Sequence, residues 1–116
     1  MIAALAIGGC LREAFAYGHS NPDATELSLA QLVENRQQYD GKTVRVRGRL
    51  HLEFEGNSLS DGRVSVWPAT PALSRQEVEI VNDRRVWIEG RYNAKFRGHM
   101  GIGSQGSIDV IFISTK

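Results

Sequence analysis

The sequence predicts a mainly all-β domain: a small antiparallel barrel preceded by a short helix. Three observations carry this. Residues 43–55 alternate apolar and polar side chains without a break, short strand-like runs follow at hairpin spacing between turn dipeptides, and a well-signalled helix start stands ahead of them. The chain has 116 residues, 41% hydrophobic and 23% charged, enough for one modest core and too few for two domains.

The chain opens MIAALAIGGC, an apolar run too short to span a bilayer, which takes about 20 apolar residues. Its end, Ile7-Gly8-Gly9-Cys10, resembles a bacterial lipoprotein signal, and the resemblance implies lipidation at Cys10. Ala14-Phe15-Ala16 offers a second, small-x-small cleavage site. The expected division is a signal peptide or lipoprotein signal over 1–16, a linker over 17–26 where Gly18 and Pro22 interrupt any period, and a barrel domain over 27–116. The plainer reading is a docked N-terminal helix with Cys10 as a small buried hydrophobe. Cys10 is the one cysteine, so no disulfide can form within the chain.

Residues 27–34, LSLAQLVE, combine a capping box of Ser28 and Gln31 with a staple between Leu27 and Leu32. The helix must stop before Tyr39-Asp40-Gly41, a turn signal. From Thr43 to Glu55 every even side chain is apolar or glycine and every odd one is polar, which predicts a strand with one buried and one wet face. Such a strand would extend roughly 43 Å if straight, longer than a domain of this size is wide, so a bend or bulge is expected at Gly48.

Asp61-Gly62 turns the chain into a strand over Arg63–Trp67, and Pro68 and Pro71 are expected to break it. Ser74 and Glu77 form a second capping box, opening a short helix around 75–80. Arg85–Tyr92 and Ser107–Ser114 read as the last strands. Between them lies the glycine-rich run RGHMGIGSQGS, read as turns with positive φ because no helix follows to make a phosphate cradle.

The run Tyr39-Asp40-Gly41-Lys42-x-Val44-x-Val46-x-Gly48 is similar to the first strand of small OB-fold domains. HLEFEGNSL at 51–59 and GHMGIGSQGSI at 98–108 resemble motifs of uncharacterised exported bacterial OB-like proteins. The resemblance covers about residues 27–113 and implies an OB-like barrel. It carries no catalytic residues with it.

Fourteen Lys and Arg against thirteen Asp and Glu leave a net charge of +1, too balanced to indicate nucleic acid by bulk charge. Arg45, Arg47 and Arg49 fall on one strand face and are the candidate ligand-binding residues together with Trp87; Trp67 and Tyr92 are further stacking candidates. The plainer reading makes the arginines a solvated row, offset by Glu89 or Asp109 and covered by Trp67 or Trp87. His51, Glu53 and Glu55 also share a face, as an enzyme or metal site would need, but the alternation alone accounts for it. A metal would require further ligands, and His99 is the only other histidine in the domain body. No Gly-x-Ser-x-Gly nucleophile occurs.

The expected function is therefore an exported, lipid-anchored binding module of the cell envelope, non-enzymatic and without a cofactor. Its expected partner is a protein, glycan or lipid of the envelope, with membrane contact only through the anchor and nucleic acid disfavoured by the periplasmic location. The alternatives are an oligonucleotide-binding OB domain and an envelope enzyme using His51, Glu53 and Glu55.

Overall fold

The computed structural model describes residues 14–53, 56–96 and 105–116. Cys10, Glu55, His99 and the loop glycines at 98, 101 and 103 lie outside them, as does the proposed signal up to residue 13. The elements run β1 (Ala16–Gly18), β2 (Thr25–Glu26), α1 (Leu29–Glu34), α2 (Arg36–Tyr39), β3 (Thr43–His51), β4 (Ser58–Asp61), β5 (Val64–Ala69), α3 (Arg75–Val81), β6 (Arg84–Asn93) and β7 (Ser107–Ser114).

Five strands close a ring. β3 pairs antiparallel with β4 and β6, β4 with β5, and β6 with β7, while β5 and β7 run parallel and complete the circuit. Closure removes the free edges that an open sheet of these short strands would expose. The core within is Val44, Val46 and Leu50 of β3, Leu59, Val66, Val86, Ile88 and Ile108, closed by Leu29 and Leu32 of α1. Each is a position that alternation or helical spacing assigns to the inner face.

Both short helices start as the sequence requires. Ser28 accepts from the Gln31 amide and Gln31 accepts from the Ser28 amide; Ser74 and Glu77 do the same for α3. Each box satisfies two amides that the first helical turn leaves without partners.

The structure departs from expectation at five places. β3 holds nine residues and leaves the ladder after His51. There the α3–β6 corner takes over, the Asp83 amide donating to the Leu50 carbonyl at 2.7 Å and the Leu52 amide donating to the Asn82 side chain at 2.8 Å. Alternation continues past that point because the side chains remain amphipathic, but the backbone partners have changed.

Gly48 carries no bulge, and its pairing with Val86 is in register. Its bare face instead lets α1 come close, since a Cβ there would stand 3.0 Å from Leu29 Cδ1 and 2.8 Å from the Ser60 carbonyl. The irregularity falls between Glu89 and Gly90 of β6, which oppose Phe112 and Val110, so that Ile111 of β7 is an extra residue. It is the exposed large hydrophobe among the described residues, at 46%.

Pro68 does not end β5; it is buried within it, opposite Ile108 of β7. Proline is tolerated in a strand where its nitrogen is not required by the ladder.

The stretch expected as a linker, 17–26, belongs to the sheet. β1 pairs antiparallel with the end of β7, and β2 pairs parallel with Val44 and Arg45 of β3. Its polar composition hid this, because the pairing is made by backbone groups and only Tyr17 of these strands packs against the core. Among the described residues no helix is long and apolar enough to cross a membrane.

Candidate ligand-binding face

The outer faces of β3 and β6 set three pairs side by side: Arg45 with Glu89, Arg47 with Trp87, and Arg49 with Arg85. The first pair is closed. Glu89 is 0% exposed and accepts from Arg45 Nη1, the Ser20 hydroxyl and the Asn21 amide, each at 2.6 Å. Burial works to raise its pKa, but the bonds from Ser20, Asn21 and Arg45 prevail and hold it below the ordinary carboxylate value.

Arg45 is committed on every side. Its Nε stands 3.4 Å from Glu26, and its guanidinium carbon lies 4.4 Å from the Trp87 ring centroid and 5.9 Å from that of Phe112. Glu89 and Trp87 thus offset and cover it, as the plainer reading of the row requires. Arg49 leans to Asp83 at 3.6 Å and Arg85 to Asp61 at 3.7 Å, which relieves their mutual repulsion. Arg47 meets no carboxylate among the described residues and stands 5.6 Å from the Trp87 centroid.

His51 is clamped. Nδ1 lies 2.7 Å from Asp83 Oδ1 and Nε2 lies 2.7 Å from Glu53 Oε1, so the imidazolium can donate to both. Its pKa is raised, first by the bond to Asp83 and then by that to Glu53. Asp83 is correspondingly lowered by the bond from His51. Neither ring nitrogen is left to take a substrate proton or a metal, and the described residues contain no group of three or more His, Cys, Asp and Glu able to hold one. Of the HLEFE carboxylates, Glu53 is thereby engaged by His51, and Glu55 lies outside the described residues.

A second surface adjoins this one. Leu59 and Val66 point inward, so Ser58, Ser60, Ser65 and Trp67 face out from β4 and β5. Arg49 pairs with Ser60 and Ser60 with Ser65, while His51 pairs with Ser58. A floor of three serines is thereby bordered by Arg49 and His51 on one side. On the other, Trp67 and Phe96 stand with ring centroids 5.9 Å apart and planes at 49°. Both rings are half-buried. Trp67 was visible in the sequence as a stacking candidate, but Phe96 was not, because only the fold brings β5 beside the end of β6. Tyr92 is fully buried and donates to the Gln105 carbonyl at 2.7 Å, so it braces the barrel and offers no outer stacking surface.

The sequence matches no protein-family model and no curated protein. The structure is similar to solved ones. A putative aspartyl-tRNA synthetase from Leishmania major Friedlin aligns with a TM-score of 0.54 and 18% identity over 81% of this chain, which spans 21% of that one. A chain of the S. pombe Stn1-ten1 complex aligns with a TM-score of 0.50 and 22% identity, over 81% of this chain and 77% of that one. The telomere capping protein Ten1 from Saccharomyces pombe aligns at 0.49, with 22% identity over 78% and 79%.

The fold is an OB-type β-barrel. The same comparison corrects the partner expectation. Nucleic acid was set aside in favour of envelope molecules because of an assumed exported location, whereas the solved chains that share this barrel come from a putative tRNA synthetase and the Stn1-ten1 complex.

Proposed function

We propose that this domain is a non-catalytic module that binds single-stranded oligonucleotide across the serine floor of β4 and β5. The observation that carries the reading is the Trp67–Phe96 pair at the border of that floor, opposite Arg49 and His51. Half-buried rings give bases a surface to stack on, small side chains leave room for a backbone, and cations on the far side suit phosphates. The carboxylates beside them, Asp83 and Glu53, are engaged by His51 and Arg49 and so oppose a polyanion less. The OB-type barrel supports this reading as a class that hosts such ligands; it does not select the ligand.

The test is fluorescence anisotropy with a labelled single strand of about 16 nucleotides, the upper range for one such barrel. Trp67→Ala and Phe96→Ala should each weaken binding by about 1–3 kcal/mol, and duplex should compete poorly. Unchanged affinity in both variants, or no binding at low salt, would refute the reading.

Export remains a separate proposal about residues 1–16, supported by the Ile7–Cys10 pattern alone. If it occurs, processing at Cys10 is the variant compatible with β1, since cleavage after Ala16 would remove Phe15, whose amide donates to the Thr115 hydroxyl at 2.8 Å, along with the first residue of that strand.

A further inference from the structure

Between the β2–α1 corner and the outer face of β3 and β6 lies a groove of about 420 Å³, lined among others by Leu27, Gln31, Arg47, Asp61, Arg85 and Trp87. It is separate from the serine floor, with Arg49 standing between the two along β3. Its size falls within the roughly 300–1,000 Å³ of small-molecule sites.

The charges around it are unevenly settled. Glu26 leans to Arg45 and Asp61 to Arg85, which leaves Arg47 as the lining cation without a carboxylate among the described residues. Arg47 is exposed and stands beside the half-buried Trp87, whose ring already has the Arg45 guanidinium over it. Gln31 spends its amide oxygen on the Ser28 amide, and its NH2 keeps its donors. The groove therefore presents an aromatic wall, an apolar side chain in Leu27, one uncompensated planar cation and a free amide donor.

We propose that this groove binds a nucleotide, with the phosphate on Arg47 and the base against Trp87. Guanidinium and phosphate match as a two-pronged pair, and the base gains the ring contact that water cannot supply. Gln31 donates to an acceptor on the base edge, and the Asp61 carboxylate accepts from an exocyclic amine. This site stands apart from the serine floor and does not depend on a strand binding there. The nucleotide has two sources of identical chemistry: a free mononucleotide or the phosphorylated end of a strand.

The experiment follows Trp87 emission in a Trp67→Phe protein, where Trp87 is the one remaining tryptophan. Adenosine 5′-monophosphate, adenosine, inorganic phosphate and a short 5′-phosphorylated oligonucleotide are titrated separately. The nucleotide should quench the emission saturably, adenosine should bind at least about tenfold more weakly, and Arg47→Ala should impose a similar loss, a tenfold change being about 1.4 kcal/mol. Circular dichroism verifies that Arg47→Ala is folded. Quenching by the oligonucleotide but not the mononucleotide, with the same Arg47 dependence, assigns the source to a strand end. Absence of quenching by both, or quenching that survives Arg47→Ala, overturns the proposal. Loss of strand binding in Trp67→Ala with nucleotide binding intact separates this site from the serine floor.

Discussion

Arg45 and Glu89 face each other across β3 and β6, their charged groups 2.6 Å apart with the carboxylate wholly enclosed. Ser20 and Asn21, which precede the barrel in sequence, reach over its side to the carboxylate. Ser20 and Asn21 supply two of the three donors, so a single buried charge fastens the N-terminal segment to the sheet.

Glu89→Ala should therefore cost about 3 kcal/mol in chemical denaturation, because it leaves the Arg45 charge short of its partner. Glu89→Gln should cost less. In both, amide exchange at Asn21 should accelerate more than exchange in β3. Equal acceleration everywhere would mean that Glu89 acts on global stability without fastening the segment.

The clamp on His51 predicts a pH dependence. Its folded pKa is raised above 6.5, so the stabilisation is complete below the unfolded value and fades as pH climbs through the higher folded one. Glu89 and Asp83 are lowered from 4.5 and 3.8, so their contributions hold above those values and disappear as pH falls through the folded ones. Denaturation midpoints measured from about pH 5.5 to about pH 8.5 should decline, and His51→Gln should flatten that decline. A rise over the same range would contradict the clamp.

Gly106 has φ +104 and its absent Cβ would lie 2.6 Å from the Tyr92 hydroxyl oxygen. Gly106→Ala should destabilise by about 1–3 kcal/mol through strain and crowding against a wholly buried ring. Thermal denaturation of the variant measures it. Tyr92→Phe in the same background should relieve part of the crowding at the hydroxyl while losing the bond to Gln105, so the two changes should not add.

A chain that starts at Tyr17 should be less stable than one that starts at Ala14 by about 1–3 kcal/mol. It lacks the reciprocal bonds of Phe15 and Thr115 that anchor β1 to the end of β7. Urea midpoints of the two chains provide the comparison.

The local parts of the structure were legible in the sequence because each depends on near neighbours. Ser28 with Gln31 and Ser74 with Glu77 define their helices within four residues, and the inward positions of β3 and β6 follow from alternation. Glu89 was not legible as a buried group. It occupies an outward position, and what covers it comes from 68 and 69 residues away in sequence. The aromatic border of the serine floor was half legible for the same reason: Trp67 is plain in β5, but its pairing with Phe96 depends on the ring closing. The arginine row shows the converse. Its three members look equivalent in sequence, and only the cross-strand partners distinguish a committed Arg45, a shared Arg49 and an open Arg47.

Ile111 gives the last strand a property that point mutations will not reveal. Upstream of it Ile108 and Val110 turn inward, downstream Ile113 does, so the residue works as a half-step that reverses which side chains the barrel swallows. Almost any side chain should serve there, because it is exposed. Its length is what the bulge absorbs: with the residue removed, Val110 and Phe112 would be consecutive opposite Gly90 and Glu89, Phe112 still outward near Arg45 and Ile113 still inward, so the strand would run regularly. Among related chains this position should drift freely in identity, and its loss should leave the barrel's inward side chains unchanged.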